Sequence, residues 1–110
     1  MRKSNMVEFE DICQKNGYTK FSVTFEHLNE KYCPKSLNLV SCNFTIAFDS
    51  ISFYADTLTL RKNKEYMKIC NVRSVRVDDS IPNWRTLFYV EAEELAHIDG
   101  KIGFLIGARP

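Results

Sequence analysis

The sequence lacks the features that mark membrane, secreted and disordered proteins. No apolar run approaches the roughly 20 residues that span a bilayer as a helix, and no apolar stretch follows the basic residues near the start. We therefore expect neither a membrane association nor a secretory signal. Only 4 Gly and 3 Pro occur among 110 residues, which leaves little material for a flexible linker. These absences predict a single cytosolic domain over residues 1–110.

A strong charge of either sign is also missing. The formal net charge is +1 at pH 7. An acidic mimic of DNA needs a large negative excess, and a general nucleic-acid binder usually carries a large positive one. The overall charge therefore argues against both classes, although local charged patches remain compatible with it.

The cysteines do not form a recognisable metal motif, since no Cys-x-x-Cys pair occurs. Cys33, Cys42 and His27 make the only cluster with the residue types of a zinc site. Against that reading, Cys13 falls on the apolar face of a predicted helix and Cys42 on the apolar side of a predicted strand, where a thiol packs as a small hydrophobe. The sequence predicts reduced, buried thiols and no metal or cofactor, with a disulfide as a minor alternative.

Sequence motifs of common enzymes are absent as well. No nucleophile elbow, phosphate-binding glycine loop or zinc-protease helix motif occurs. His97 lies close in sequence to Glu93 and Glu94, and His27 ends a predicted strand, but closeness in sequence does not create a catalytic cleft. We expect a non-enzymatic protein, with a small enzyme whose acid and histidine converge from distant positions as an alternative.

The patterns that are present in the sequence predict mainly β-strands. Aromatic residues make up 13% of the chain, and they favour sheet. The run from Phe44 to Val77 alternates apolar and polar residues in short segments, the pattern of half-buried antiparallel strands. This alternation slips at Asn71, which predicts a tight turn or bulge over residues 71–74 with Val72 as its buried anchor. Further strands are predicted over 21–25, 88–92 and 102–106, with a hairpin turn at Asp99-Gly100.

One helix is predicted near the start of the chain. Asn5 and Glu8 have the spacing of a capping box, apolar residues follow at helical spacing, and Asn16-Gly17 supplies a left-handed stop. The stretch from Phe25 to Tyr32 fits a strand or a helical turn. The predicted fold is α+β, with an N-terminal helix packed on a curved antiparallel sheet of about six or seven strands. A partly closed barrel is a variant of that arrangement.

The predicted functional surface is the open face of this sheet. If the apolar parity of each strand faces the helix, several tyrosines point away from it, and tyrosines mixed with arginine are typical of protein-binding patches. We predict a protein partner or a homodimer, held by aromatic anchors and a basic rim. The anchors are Tyr54, Tyr66, Tyr89 and Trp84, and the rim is Arg61, Lys62 and Lys64.

A nucleic-acid partner is the main alternative. The basic segment from Arg61 to Lys64 could track phosphates at the tip of a β-ribbon, with exposed aromatic residues stacking on bases. Further cationic residues could lie near this tip, namely Arg73, Arg76 and Arg85. The acidic neighbours Glu65, Asp78 and Asp79 would cancel much of this positive field. A solvated hairpin turn has the same composition.

Two resemblances bear on function. The pattern Asp56-x-Leu58-x-Leu60, followed by alternating apolar residues from Met67 to Val77, resembles the strand rhythm of bacterial PH-like domains. In size and style the whole chain resembles small orphan proteins of phages and mobile elements of Gram-positive bacteria. Many of those are non-enzymatic inhibitors of host defence, including anti-CRISPR proteins. This resemblance implies an inhibitor that binds a host protein, and it assigns no residue.

Overall fold

The computed structural model describes residues 1–27, 35–40, 42–55, 65–78, 85–93 and 100–110. Within these residues the protein has one helix and nine strands, and the α+β class is confirmed. Their order is β1 (Arg2–Ser4), α1 (Met6–Lys15), β2 (Lys20–His27), β3 (Lys35–Leu39), β4 (Cys42–Ala47), β5 (Ser50–Ala55), β6 (Glu65–Ile69), β7 (Val72–Asp78), β8 (Thr86–Glu93) and β9 (Lys101–Arg109).

Helix α1 begins and ends where the sequence predicts. The Asn5 side chain accepts a hydrogen bond of 2.8 Å from the backbone N–H of Glu8, which satisfies one of the free donors of the first turn. Gly17 has φ 62°, the left-handed conformation that ends helices and favours glycine. Tyr18 then packs back into the core, and its N–H donates to the Cys13 carbonyl at 3.0 Å. Among the described residues, no helix is long and apolar enough to cross a membrane.

The strands form two antiparallel sheets rather than one. The larger sheet has six strands in the order β1-β7-β8-β9-β2-β3, and the smaller has three in the order β4-β5-β6. The predicted antiparallel sheet of about six or seven strands is confirmed as the six-stranded larger sheet, while the second, three-stranded sheet was not predicted. The variant of a partly closed barrel is wrong, because neither sheet closes on itself in the part of the chain that the structure describes.

A corner at Asn71 moves the chain from one sheet to the other. Asn71 has φ 55°, its Nδ2 donates to the Glu93 carbonyl at 3.3 Å, and its own carbonyl accepts from the Glu93 N–H at 3.1 Å. The pairing of β7 with β8 shifts register between Val72 and Ser74. The predicted bulge is confirmed, and its predicted anchor Val72 packs against the core but is only partly buried. The corner at Asn71 turns the chain between Ile69 and Val72, so β6 and β7 belong to different sheets.

The core lies between the two sheets and is closed by the helix. The centroid of the Phe9 ring on α1 lies 4.6 Å from the ring centroid of Phe88 in the larger sheet and 5.6 Å from that of Phe44 in the smaller one. Phe21 of the larger sheet contacts Phe44 and Phe53, with ring centroids 5.9 and 5.1 Å apart. The inner faces of the sheets therefore face each other, and their outer faces point in opposite directions.

The remaining predicted elements are described in part. The strand predicted over 21–25 continues to His27, while the rest of the ambiguous stretch lies outside the described residues. Asp99 of the predicted hairpin turn also lies outside them. The strands predicted near the end of the chain are confirmed as β8 and β9, paired along their full length from Thr86 with Ala108 to Glu93 with Lys101.

Candidate functional site on the outer face of the larger sheet

Residues on the outer face of the larger sheet line up in rows across its strands. Ser22 of β2 pairs with Asn38 of β3 and with Gly107 of β9, and Gly107 pairs with Leu87 of β8. Side chains of paired residues lie on the same face of a sheet. The helix and the smaller sheet pack against the opposite face, so this row points away from the core.

A depression of about 370 Å³ lies along this row. Gly107 shapes it, because a Cβ at this position would lie 3.4 Å from Leu87 Cδ2 and 3.8 Å from Ser22 Cβ. The absence of a side chain leaves a hollow between its neighbours. The lining residues combine hydroxyl, amide, guanidinium and aliphatic groups: Ser22, Thr24, Asn38, Arg85, Leu87, Leu105, Gly107 and Arg109.

Three cationic residues lie together at one end of the sheet, and two of them, Arg85 and Arg109, line the depression. Lys20 of β2 pairs with Arg109 of β9. Extending the pairing of Thr86 with Ala108 by one residue places Arg85 opposite Arg109. All three are exposed, and none forms an ion pair with a residue that the structure describes. We call Lys20, Arg109 and Arg85 the basic row.

An apolar strip lies on the other side of the depression. Leu105 of β9 is 40% exposed, which is unusual for a leucine near the middle of a sheet. It pairs with Tyr89 of β8 on one side and with Thr24 of β2 on the other. Leu87 and Tyr89 are half-buried on the same face. The outer face therefore offers an aliphatic and aromatic surface beside the basic row.

The three predicted tyrosine anchors do not lie on one surface. Tyr89 is on the outer face of the larger sheet, whereas Tyr54 and Tyr66 belong to the smaller one. Tyr66 is 43% exposed, and a register shift pairs Tyr54 with Glu65 rather than with Tyr66. Because the outer faces of the two sheets point in opposite directions, Tyr54 and Tyr66 form a second surface, separate from that of Tyr89.

The other predicted site residues lie outside the described residues. These are the anchor Trp84 and the rim residues Arg61, Lys62 and Lys64. His97 and Cys33, considered above for catalysis and metal binding, lie outside them too. Among the residues that are described, no three of His, Cys, Asp and Glu are close enough together to hold a metal ion.

Two of the cysteines are buried where the sequence predicts them. Burial raises the pKa of the Cys13 thiol from 9.0 to about 12. Burial also raises the pKa of Cys42 to about 11, partly offset by a hydrogen bond with the backbone of Tyr54. Cys70, at the corner between the sheets, is exposed. The first two thiols therefore have the burial of core residues rather than of reactive groups.

We expect alkylation to distinguish these cysteines sharply. With iodoacetamide at about pH 8, Cys70 should be modified at least about a hundredfold faster than Cys13 or Cys42, because only a solvated thiolate reacts. Peptide mass mapping over time measures each rate, and the denatured protein provides the control in which all three react alike. Modification of Cys13 in the native protein as fast as that of Cys70 would contradict its burial.

Phe48 is an exposed aromatic residue that the sequence pattern did not single out. It lies in the turn between β4 and β5, where its side chain is 98% exposed. Its φ of 49° is in the left-handed region, which a bulky residue rarely adopts. In the alternating pattern Phe48 reads as one more buried position after Phe44 and Ile46, so only the turn geometry shows its exposure.

We expect Phe48→Gly to stabilise the protein by about 0.5 to 1 kcal/mol, because glycine adopts this backbone conformation without a steric cost. Phe48→Ala is the matched control, since it removes the ring but keeps the Cβ that causes the strain. Urea unfolding of both variants measures the difference. A gain of equal size in both would attribute the effect to the ring rather than to the backbone.

Several residues of the depression could not be identified from sequence. Gly107 and Leu105 look like ordinary members of a strand, and Arg109 and Lys20 become neighbours only through strand pairing. Of the residues around the depression, Leu87 was the one that sequence parity placed on the outer face with Tyr89.

No protein-family model, curated protein sequence or solved structure matches this chain.

Proposed function

We propose that this protein is a non-enzymatic binding module that acts by protein–protein contact through the outer face of its larger sheet. The observation that carries the proposal is the exposed Leu105, flanked by Tyr89 and Leu87, beside a depression bordered by arginines. Aromatic residues and arginine are enriched at protein interfaces, and an aliphatic centre with a polar rim is their usual layout.

The chemistry of the depression supports binding rather than catalysis. Its lining supplies hydroxyl, amide and guanidinium groups, which orient a bound partner. General acid–base catalysis needs a group that titrates near neutral pH, such as an imidazole or a perturbed carboxyl. The lining residues that the structure describes include neither.

The class of partner follows from the resemblance to small phage and mobile-element proteins. On that basis we propose a host protein of a defence system as the partner, with inhibition as the outcome of binding. A second copy of the chain is the alternative partner. The surface around Tyr54 and Tyr66 on the smaller sheet is the alternative contact surface, because Tyr66 is also substantially exposed.

The test compares one variant on each outer face. The protein is immobilised, partners are captured from a host lysate and identified by mass spectrometry, and light scattering reports any homodimer. Leu105→Arg should reduce capture of the partner, or dimerisation, at least about tenfold, because it places a charge in the apolar strip. Tyr66→Ala, on the opposite side of the molecule, should leave capture unchanged.

Both variants should unfold at the same urea concentration as the wild type, since neither side chain belongs to the buried core. If Tyr66→Ala abolished capture of the partner and Leu105→Arg did not, the contact surface would be on the smaller sheet instead. Capture unaffected by either variant would contradict both surfaces.

A further inference from the structure

We propose that the basic row and the adjoining depression bind an acidic, extended segment of a partner protein. Carboxylates of the segment contact Lys20, Arg109 and Arg85, and an aliphatic side chain enters the depression over Gly107. This inference rests on the proposed function and specifies the kind of partner segment that the outer face accepts.

The first argument is electrostatic. Like charges directly opposite each other on neighbouring strands destabilise a sheet, yet Lys20 of β2 lies opposite Arg109 of β9, and Arg85, just before β8, lies opposite Arg109 on its other side. Among the described residues, those that line the depression include no carboxylate, and Asp78 lies opposite the lining residue Leu87 in the neighbouring strand. A bound anion relieves this repulsion, and arginine is well suited to the task because its guanidinium binds carboxylates in a bidentate manner.

The second argument is geometric. Neighbouring strands lie about 4.8 Å apart, so the basic row extends about 10 Å across the sheet. In an extended peptide, side chains on one face recur about every 6.6 Å, so two or three carboxylates span that distance. Arg85 and Arg109 also line the depression, which places the charged and aliphatic contacts side by side.

The third argument favours a protein segment over a nucleic acid. The far end of the same face carries Glu91 and Glu93, the latter paired with Lys101 and bound to Arg73 at 2.9 Å. Asp78 pairs with Leu87 within the face. A phosphate backbone that ran from the basic row along the strands would meet these carboxylates, whereas a protein segment can place its acidic residues over the basic row alone.

The test uses two end-capped, fluorescein-labelled peptides in fluorescence anisotropy titrations: decaglutamate, and an alternating peptide of three Glu-Glu-Leu-Glu repeats, in which one face of the extended chain alternates Glu with Leu. Both should bind the wild-type protein, and the alternating peptide should bind more tightly. Arg85→Glu with Arg109→Glu should weaken binding of both peptides at least about tenfold. Gly107→Leu fills the depression, so it should abolish the advantage of the alternating peptide and leave the affinity for decaglutamate within about twofold.

The matched control changes the net charge by the same amount at a distance. Lys15 at the end of α1 and Lys68 on the smaller sheet are both exposed. Lys15→Glu with Lys68→Glu should weaken peptide binding less than about threefold, since long-range charge effects are screened at about 0.15 M salt. Equal weakening by the two double variants would mean that only the overall charge attracts the peptides, and would overturn the proposal.

Two further outcomes would also overturn it. One is the absence of decaglutamate binding at concentrations up to about 1 mM, which corresponds to a negligible affinity. The other is displacement of decaglutamate by decathymidylate at equal or lower concentration, which would assign the basic row to nucleic acid. In either case the broader proposed function would still stand if the wild-type protein captured a partner protein that Leu105→Arg did not capture. Failure of the acidic-segment proposal is therefore distinguishable from failure of the proposed function.

Discussion

Replacing Phe9 by alanine is expected to lower the free energy of unfolding by about 3 to 5 kcal/mol. The Phe9 ring is fully buried and lies against Phe88 of the larger sheet and Phe44 of the smaller one. Its removal leaves a cavity at the place where the helix meets both sheets. Urea unfolding followed by circular dichroism measures the loss.

Val7 of the same helix provides the matched control. Its side chain is 78% exposed, so Val7→Ala removes no buried contact and should raise stability by a few tenths of a kcal/mol through the better helix propensity of alanine. A loss below about 1 kcal/mol for Phe9→Ala would mean that the helix does not anchor the core.

Phe21→Ala is expected to cost a similar amount, about 3 to 5 kcal/mol, for a different reason. Phe21 lies on the inner face of the larger sheet, and its ring contacts Phe44 and Phe53 of the smaller one. The substitution therefore tests the packing of the two sheets, which the sequence did not predict. The same urea titration measures it.

The control for Phe21 is the next residue in the strand. Ser22 is exposed on the outer face, so Ser22→Ala should change stability by less than about 0.5 kcal/mol. A double-mutant cycle between Phe21→Ala and Phe44→Ala should show a coupling of about 0.5 to 1.5 kcal/mol if the rings are in contact across the sheets. Strict additivity would contradict that contact.

These expected effects separate folding from binding in this molecule. The inner faces of the sheets hold the large apolar side chains, while the basic row and Leu105 lie on an outer face that the core does not need. Substitutions in the basic row should therefore alter binding at nearly constant stability. That separation makes the binding proposal testable with folded variants.

Local features of the fold were predictable from the sequence because the residues involved are neighbours in the chain. The helix boundaries depend on a cap at Asn5 and a left-handed Gly17, both within a turn of the helix ends. The slip in alternation at Asn71 revealed the bulge, since a strand with one buried face cannot change parity without a break.

The candidate site was predictable only in part. Strand parity placed Tyr89 and Leu87 on an outer face, and the structure agrees. Parity carries no information on which strands are neighbours, however, so it merged Tyr54 and Tyr66 with Tyr89 on a single surface. The basic row was invisible for the same reason, because Lys20 and Arg109 are distant in sequence and meet only through the pairing of β2 with β9.

By itself, the sequence determined the class of the fold, the position of the helix, the buried cysteines and the core-facing side of the strands that it predicted. These properties depend on periodicity and capping, which act over a few residues. Only the tertiary structure decided that the strands form two sheets, that Phe48 is exposed in a left-handed turn, and that Gly107 leaves a depression beside the basic row. Those properties depend on pairing between distant segments, which is decided by how the whole chain buries its apolar faces together.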